Sequence, residues 1–306
     1  MKQPKVTIVI LNYNQDKETA RCLEEVHRLT YPNCEVLVVD NGSRQNPEPL
    51  LKDRFPKVHW ERLQENAGFA GGCNHGIRWG LSRGAEAILL LNNDAVIEVD
   101  FLEKMVASAY ADPKTGVVGG VIYPSSGPVE PFLAGMRFDF LQAKILRIVP
   151  EPSQAGGIGG GCSVPAVSGS ALLIKKELLD KIDLLDERFF IYFEETDFCY
   201  RARKSGMQVI YHPDVRIQHE EGSTFGRGSP TFRYFYTRNR LLFLSKHCPF
   251  WIRPWSFSVR ILQDLLLFVI LWLQGKREAS RAVRYGFVDY WKGRFGKGRL
   301  TEFFHG

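Results

Sequence analysis

Short apolar runs that end in polar residues recur through the first half of this chain. The segments are VTIVILNYN (6–14), CEVLVVDNGS (34–43) and AILLLNNDAVIE (87–98). Each run is too short for a soluble helix and long enough for a buried strand. Apolar residues at helical spacing separate them, as in 20–29 and 100–110. Strands that alternate with helices in this way predict an α/β fold with a doubly wound, mainly parallel sheet flanked by helices.

Polar side chains stand where the predicted strands end. Asn92, Asn93 and Asp94 follow the most apolar run, Asp40 ends the second run, and Asn66 follows a weaker third strand. Ligands of open α/β sheets bind beyond the carboxyl ends of the strands, so these side chains are placed to hold a metal ion or a ligand hydroxyl. The alternative at 92–94 is an ordinary turn, because Asn and Asp favour turns through local hydrogen bonds.

The middle of the chain has no clear pattern. Residues 123–165 are poor in helical periodicity and include GGIGGG at 156–161, which is typical of a mobile loop. Two interpretations are open, a lid over a bound substrate or a solvent-exposed connection. VSGSALLIKK (167–176) then predicts a further buried strand.

Two acidic residues open the next predicted helix. FFIYFEETDFCYRARKSG (189–206) becomes helical from Glu194, and Glu195 lies in the same first turn. The helix dipole favours the ionised form of both, and one of them is a candidate acceptor for a proton from an attacking hydroxyl. The alternative is a charged first turn of the kind common in helices.

Asp94 and His219 offer an oxygen and an imidazole nitrogen. A nucleotide diphosphate needs a divalent cation to offset its charge in binding and as a leaving group. The mixed pair suits Mn²⁺, and it is tolerable for Mg²⁺ when phosphate oxygens and waters complete the octahedron. The sequence therefore predicts a divalent cation, Mg²⁺ or Mn²⁺, as cofactor.

The composition is that of a globular protein with a basic end. Of the 306 residues, 44% are hydrophobic and 24% are charged. The formal net charge is +6, and residues 276–299 hold eight basic and two acidic residues, which leaves a local excess of six. This placement indicates an anionic surface as the partner of the tail, and no nucleic-acid partner is expected.

Cysteine usage and the N-terminus indicate the cytoplasm. The six cysteines form no C-x-x-C pair and are too sparse for a disulfide scaffold. The apolar run before Asn12 has six residues, too few for the core of a signal peptide. Dehydrogenase and kinase functions have little support, because neither G-x-G-x-x-G after the first strand nor a P-loop is present.

From Thr231 onward, helices rich in aromatic and basic residues are predicted. ILQDLLLFVILWLQG (261–275) is the most apolar segment, but its uninterrupted part, Leu265–Leu273, has nine residues, whereas a bilayer core needs about 20. We expect it to lie in a membrane interface, with tryptophans near the headgroups and the basic tail on anionic lipid. The alternative is a helix packed on the sheet or on a second subunit.

Eight segments carry a pattern that recurs in one known family. They are VTIVILNYN, VVDNGS, NAGFAGGCN, LLLNND, VSGSALLIKK, LLDERFFIYFEETDFCYRARKSG, YHPDVRIQHEEGST and YTRNRLLFL. Over about residues 5 to 245, and again at the tail GRFGKG, they resemble the bacterial family 2 glycosyltransferases of the GT-A fold, most closely the rhamnosyltransferase-like members. The resemblance implies transfer of a sugar, with rhamnose as the nearest candidate, from a dTDP- or UDP-sugar to a glycan or lipid-linked glycan in cell-surface polysaccharide synthesis.

The resemblance also implies roles for the strand-end residues. Asp40 resembles the carboxylate that reads the base of the sugar nucleotide. Asn92-Asn93-Asp94 corresponds to the family's Asp-x-Asp motif, whose last residue binds the metal, and His219 resembles the distal histidine that completes the metal site. Asn92 replaces the first Asp of the motif, which puts a second carboxylate contact in doubt.

Further contacts to the nucleotide sugar are implied outside that motif. The loop expected to close around the nucleotide comprises Asn66, Gly68, Gly71, Gly72 and Asn74. The other expected contacts are Asn12, Asn92, Asn93 and Arg238, the last of which, with Asn239, matches a family pattern that we assign to the diphosphate.

Glu195 falls where the family has its general base, usually Asp, directly after Glu194. Glu is one methylene longer than Asp, so the choice between Glu194 and Glu195 stays open. One base and no enzymic nucleophile suffice for an inverting mechanism, in which the acceptor hydroxyl attacks the anomeric carbon opposite the leaving nucleoside diphosphate.

The resemblance implies a nucleotide-sugar-binding catalytic domain at 1–230 and an amphipathic, basic helical region at 231–306. We expect a cytoplasmic protein that is peripheral on the inner face of the cell membrane, and a homo-oligomer stays open. Two alternatives remain. A glycoside hydrolase would use paired carboxylates without a nucleotide or metal site, and a non-catalytic membrane-bound sugar-nucleotide-binding or scaffold protein would keep the fold alone.

Overall fold

The computed structural model describes residues 3–124, 130–150, 160–218, 226 and 228–299. Its strands are β1 (Val6–Asn12), β2 (Cys34–Asp40), β3 (His59–Arg62), β4 (Ala87–Asn92), β5 (Val96–Ile97), β6 (Thr115–Tyr123), β7 (Gly135–Asp139), β8 (Lys144–Ile148), β9 (Cys162–Ser163), β10 (Ala171–Lys175) and β11 (Gln208–Gln218). Its helices are α1 (Asp16–His27), α2 (Glu48–Leu51), α3 (Gly68–Ser82), α4 (Phe101–Ala111), α5 (Lys176–Leu179), α6 (Glu194–Lys204), α7 (Pro230–His247), α8 (Arg253–Leu273) and α9 (Arg277–Trp291).

A central sheet orders the described residues. Its nine strands run β3-β2-β1-β4-β10-β6-β11-β5, with β9 beside β11. β1 pairs in parallel with β2 and β4, and β6 with β11, while β10 is antiparallel to β4 and β6. The predicted mainly parallel α/β sheet is confirmed. The register sets Asn12 beside Asp40 and Leu11 beside Asn92, so the polar strand ends meet at one edge.

Helices cover both faces of the sheet, because alternate residues of a strand point to opposite sides. Ile8 and Ile10 of β1 belong to the apolar cluster formed with α1 and α4, whereas Val9 belongs to the one formed with α3 and α6. α3 approaches β1 so closely that a Cβ at Gly76 would lie 2.2 Å from Val9 Cγ1. Glycine is therefore required at that point of the helix.

β7 and β8 form an antiparallel hairpin beside the sheet. Its turn reaches α8, where Ser256 Oγ donates to Phe140 O at 2.6 Å and Trp255 Nε1 to Leu141 O at 3.1 Å. Part of the region 123–165, which was expected to lack a regular pattern, thus forms two strands. Contacts with a distant helix stabilise them, and the local sequence periodicity does not indicate them. Of GGIGGG, residues 156–159 lie outside the described residues, so the lid interpretation stays a prediction.

α7 packs against both α8 and α9, and the segment after α9 returns to the sheet domain. Gly296 N donates to Arg188 O at 2.9 Å, and Lys297 Nζ lies 2.9 Å from Glu65 Oε2. The proposed boundary at residue 230 stays a prediction. Both α7 and the tail contact the part of the chain before it.

α8 is apolar and yet largely exposed. It has 21 residues, an 18-residue window within it has a mean hydropathy of 1.8, and among the described residues it is the one helix long and apolar enough to cross a membrane. Arg260 and Asp264 are buried and form an ion pair with each other. They interrupt the apolar run in the sequence, but they do not lie on the exposed face of the helix. The apolar surface of α8 is therefore longer than the nine-residue run Leu265–Leu273 indicates.

Candidate active site

A cavity of about 700 Å³ opens at the carboxyl ends of β1 and β4. It brings together most of the predicted site residues, namely Asn66, Gly68, Asn92, Asn93, Asp94, Glu194 and Glu195. It is not lined by the other predicted residues that the structure describes, namely Asn12, Asp40, Gly71, Asn74 and Arg238. His219 lies outside the described residues.

A chain of hydrogen bonds connects the strand ends behind the cavity. Asn93 Nδ2 donates to Thr19 Oγ1 at 3.0 Å, and Thr19 Oγ1 donates to Asn12 Oδ1 at 2.8 Å. Asn12 Nδ2 in turn donates to Asp40 Oδ1 at 3.1 Å, and Arg62 Nε lies 3.3 Å from Asp40 Oδ2. Asn12 is fully buried. Its side chain bonds to Asp40 and Thr19 here, and its expected contact with the donor stays a prediction, as does the role of Asp40 in reading the base.

Asn41, which was not expected from the sequence, organises the nucleotide loop. Its Nδ2 donates to Asn66 Oδ1 at 3.2 Å and to Gly68 O at 3.0 Å, and its Oδ1 accepts from Ala67 N at 2.9 Å. Gly68 has a φ of 77°, and a Cβ there would lie 2.5 Å from Phe190 Cδ2, so glycine is required. The position of Asn41, directly after β2, was the available signal.

Asn74 supports the cavity from inside the fold. Its Nδ2 donates to Leu185 O at 2.8 Å, and its Oδ1 accepts from Leu185 N at 3.0 Å. Gly71 and Gly72 lie within α3, and a Cβ at Gly72 would be 2.3 Å from Leu11 Cδ1. The expected nucleotide contacts of these residues stay predictions, since none of the three lines the cavity. The loop ends where α3 begins, and they pack that helix against its neighbours.

Asp94 lies on the cavity wall beyond β4 and is partly exposed. Burial and the nearby Asp94 charge raise the pKa of the Cys22 thiol, which keeps that thiol neutral beside the site. Among the described residues, no group of three or more His, Cys, Asp or Glu is arranged to hold a metal. A cation at Asp94 therefore needs ligands from a substrate or from beyond the described residues.

Glu194 and Glu195 face the cavity from the start of α6. Burial raises the pKa of Glu194 well above its ordinary value, and the charge of Glu195 raises it further. Burial also raises the pKa of Glu195, whose Oε1 accepts a hydrogen bond from Thr196 Oγ1 at 3.3 Å. The helix dipole favours the ionised form of both, but burial outweighs such contributions and raises both pKa values. A raised pKa suits a carboxylate that must accept a proton.

Left-handed backbone leads into this acidic pair. Phe190, Tyr192 and Phe193 have φ values of 67°, 69° and 78°. Such a conformation costs a non-glycine residue about 1–2 kcal/mol, so surrounding contacts must hold it. The same segment shapes the cavity, since all three side chains line it.

Arg238 and Asn239 of α7 supply those contacts. Arg238 Nη2 donates to Phe189 O at 3.0 Å, while Asn239 Nδ2 donates to Ile191 O at 2.7 Å and to Tyr192 O at 2.9 Å. Both residues are fully buried. The expected diphosphate contact of Arg238 stays a prediction, and in this structure its guanidinium bonds to main-chain carbonyls.

A second buried set of charges fixes α6 to α7. Asp197 accepts from His247 Nε2 at 2.7 Å and pairs with Lys246 Nζ at 2.6 Å through the same oxygen, Oδ1. Arg201 Nε donates to Asp197 Oδ2 at 2.8 Å. Burial opposes ionisation of Asp197, but these partners outweigh it and lower its pKa. The first turn of α6 is thereby held to α7, and the acidic pair with it.

The cavity wall formed by α7 and the hairpin is aromatic and apolar apart from Arg147 and Arg233. α7 contributes Phe232 and Tyr236, whose rings stack at 4.8 Å, and the hairpin contributes Met136 and Ile145. None of these was expected from the sequence. Aromatic residues at helical spacing in α7 looked like ordinary core, and only the tertiary fold brings them to the cavity.

Comparison with known proteins identifies the family. Residues 7–183 match the model described as Glycosyl transferase family 2. The chain belongs to this family. A dTDP-rhamnosyl transferase of Shigella flexneri is 30% identical over 251 residues, which is 79% of this glycosyltransferase and 80% of that protein. An N-acetylglucosaminyl-diphospho-decaprenol L-rhamnosyltransferase of Mycobacterium tuberculosis is 21% identical over 280 residues, which is 83% of this chain and 88% of that protein.

Solved structures agree with the predicted GT-A fold. A mannosyltransferase from Pyrobaculum calidifontis, in complex with GDP-Man and Mn²⁺, superposes with a TM-score of 0.58 at 17% identity, covering 95% of this chain and 88% of that one. GalNAc-T7, with UDP, GalNAc and Mn²⁺, gives a TM-score of 0.59 at 18% identity over 78% of this chain and 47% of that one. The matched family segment ends before Glu194, so the acidic pair and α7 add to the site from outside it.

Proposed function

We propose that this glycosyltransferase moves a sugar, with inversion and with the aid of a divalent cation, from a nucleotide-diphosphate sugar to a hydroxyl of a lipid-linked glycan. One observation carries the proposal: a single cavity has Asp94 on its strand-end wall and Glu195 at the start of α6. dTDP-rhamnose is the first donor candidate, because the Shigella relative is named a dTDP-rhamnosyl transferase. The acceptor class follows from the Mycobacterium relative, whose name gives a diphospho-decaprenol-linked sugar.

Asp94 fits a cation site, since its carboxylate is partly exposed on the cavity wall. It would hold the ion together with His219, and oxygens of the diphosphate and of water would complete the shell. Both solved relatives contain Mn²⁺, which supports a divalent cation. Such an ion supplies positive charge for a leaving diphosphate.

Glu195 is the proposed base. Burial raises the pKa of both acids, and Glu194 is buried whereas Glu195 is partly exposed, so the neutral form is favoured at Glu194. Glu194 then stays neutral, and ionised Glu195 takes the proton of the acceptor hydroxyl. The hydroxyl oxygen forms the bond to the anomeric carbon as the bond to the nucleotide oxygen breaks, in a single displacement.

A screen of nucleotide sugars for release of nucleoside diphosphate tests the proposal. We expect release from dTDP-rhamnose with Mn²⁺ or Mg²⁺, and none in excess chelator or in Asp94→Ala. Full turnover in chelator would contradict the metal role. Nucleotide-sugar binding without turnover on any donor would favour the non-catalytic alternative, and glycoside cleavage without nucleotide would favour the hydrolase.

We also propose that α8 attaches the protein to the cytoplasmic face of a membrane without crossing it. Leu262 and Leu273 are 56% and 71% exposed, so their face is apolar and open. The opposite face is bonded to protein, for example through Gln263 Nε2, which donates to Gln142 O at 2.9 Å. Crossing would carry that hairpin turn into hydrocarbon, where exposed backbone polar groups are costly.

The basic tail contributes less free charge than its composition indicates. Lys297 pairs with Glu65, and Arg299 pairs with Asp289. Part of the excess is therefore used within the protein. We propose that insertion of the apolar face of α8 gives most of the attachment, while the remaining basic residues favour anionic lipid.

A further inference from the structure

α7 presents a second basic face to the cavity, distinct from the buried Arg238. Arg233, Tyr236 and Arg240 recur at the spacing of one helix face. Arg233 and Tyr236 line the cavity, and the Arg240 guanidinium lies over the Tyr236 ring at 4.5 Å from its centroid. Two arginines and a tyrosine therefore share one face of α7, and two of the three, Arg233 and Tyr236, line the cavity.

These arginines are not neutralised within the part of the chain that the structure describes. Burial lowers the pKa of Arg233, and the charge of Arg240 lowers it further, with no acid among the causes. Burial likewise lowers the pKa of Arg240, and only Tyr236 opposes it. The Nε atoms of both are buried and have no hydrogen-bond partner there. Both side chains are partly exposed, and a guanidinium with a buried, unbonded Nε is suited to an anion that reaches it from the cavity.

A diphosphate matches this face in charge and geometry. Guanidinium groups bind phosphate oxygens through paired N–H donors, and a tyrosine hydroxyl can add a third donor. Gly228 also lines the cavity, and a Cβ there would lie 3.8 Å from Arg233 Nη2, so the guanidinium of Arg233 lies beside a residue without a side chain. We propose that Arg233, with Tyr236 and Arg240, binds a diphosphate group of the substrate.

The apolar wall assigns this diphosphate to the acceptor. Asn41 and Asn66, which form the proposed nucleotide loop, lie at the strand-end side of the cavity. Met136 and Ile145 line it from the hairpin whose turn contacts α8, the proposed membrane helix. A lipid carrier in the membrane would thus approach along the hairpin and place its diphosphate at α7. This assignment rests on the proposed function.

Kinetics with two acceptors test the assignment. Arg233→Gln should raise the KM for a diphosphate-linked lipid acceptor about ten- to a hundredfold, the usual worth of a charge-assisted hydrogen bond, and Arg233→Lys should restore part of the loss. The KM for the donor should stay within error of the unsubstituted protein. Arg137→Gln is the matched control, because Arg137 is exposed on β7 and does not line the cavity. A raised donor KM in Arg233→Gln would assign the site to the donor and overturn the proposal.

Direct binding separates this proposal from the proposed function. Farnesyl diphosphate and farnesol are titrated into the protein without donor or metal, and circular dichroism checks the fold of each variant. We expect tighter binding of the diphosphate, and loss of that preference in both Arg233→Gln and Arg240→Gln. If neither change alters the preference, the proposal is wrong even if sugar transfer is found. If the preference is lost as expected but no donor turns over, the site stands and the proposed function fails.

Discussion

Two neighbouring helices reverse the usual relation between polarity and burial. α7 buries Arg238 and Asn239 completely, whereas α8 leaves Leu262 and Leu273 more than half exposed and buries Arg260 with Asp264. The polar groups of α7 bond to main-chain carbonyls beside the acidic pair. Those of α8 bond to each other and leave an apolar outer face. The buried polar residues of α7 therefore hold the backbone beside the candidate active site. Those of α8 pair with each other and leave the exposed face of that helix apolar.

This difference separates two sets of substitutions. Changes at the residues held by α7 should alter catalysis and leave membrane attachment intact. Changes on the outer face of α8 should do the reverse. This separation of the two helices is wrong if either set of substitutions alters catalysis and membrane attachment equally.

The largest effect is expected from Glu195→Gln. It keeps the shape of the side chain and removes the proton acceptor, so turnover should fall by about two to four orders of magnitude with donor binding retained. Steady-state rates and calorimetric titration of the donor check this, with Glu194→Gln as the comparison. A greater loss of turnover in Glu194→Gln would exchange the two roles.

Asn239→Leu should have the next largest effect. It leaves the carbonyls of Ile191 and Tyr192 without their donor and frees the left-handed segment, so kcat should fall by about ten- to a hundredfold, at the scale of one or two lost buried hydrogen bonds. Ser245→Ala is the matched control, because its hydroxyl bonds within α7 to Leu242 O. Vesicle binding should be unchanged in both. An unaltered kcat in folded Asn239→Leu would remove the positioning role.

On α8, Leu266→Glu should weaken membrane attachment. Leu266 is 53% exposed, and a charge carried into the membrane interface costs up to about 2.5–3.5 kcal/mol, or as much as a hundredfold in partition. Leu50→Glu is the control, since Leu50 is 56% exposed on α2, away from the outer face of α8. Co-sedimentation with anionic vesicles at low and high salt measures the change. If full-length protein never sediments, α8 packs on a partner or a second subunit, and alkaline extraction that leaves it in the membrane would indicate a crossing helix.

The smallest effects are expected from pH. The pKa of Glu195 is raised in the folded protein, so activity should be present above that pKa and be lost as pH falls through it. The sign for stability is opposite. An acid whose pKa is raised on folding binds more protons when folded, so stability should decline as pH rises from the unfolded pKa toward the folded one. Thermal melts against pH should show this decline, and it should be weaker in Glu195→Gln.

The sequence was informative where structure is locally determined. Apolar runs of strand length predicted β1, β2 and β4, and parallel strands necessarily bring their ends to one edge. Asp94 and the acidic pair could be found because their positions follow directly from a strand end and a helix start. The same local rules predicted no role for Asn41, which lies one residue beyond an equally clear strand end.

The features that the sequence did not reveal have a common physical cause. They concern residues whose bonding partners are distant in sequence or lie on one side of a helix. Arg238 and Asn239 bond to carbonyls about 50 residues earlier in the chain. The backbone there is left-handed, and no pattern of residues in the sequence predicts that conformation. Asn74 is bonded to Leu185 in the same way. In α8, Arg260 and Asp264 lie on the same side of the helix and bond to each other there. A count of consecutive apolar residues along the sequence does not take this into account.

The return of the tail to the catalytic fold has a consequence for engineering. Arg238 Nη1 donates to Gly296 O at 2.8 Å, so α8 and α9 are connected to the catalytic fold at their exit as well as at their entry after His247. They form a doubly anchored insertion and not a detachable appendage. Deleting everything after His247 would strip a partner from Arg238 while attempting only to solubilise the protein. A soluble variant should keep α9 and the tail, so that Gly296 keeps its place, and replace exposed apolar residues of α8 such as Leu262 and Leu273 with polar ones.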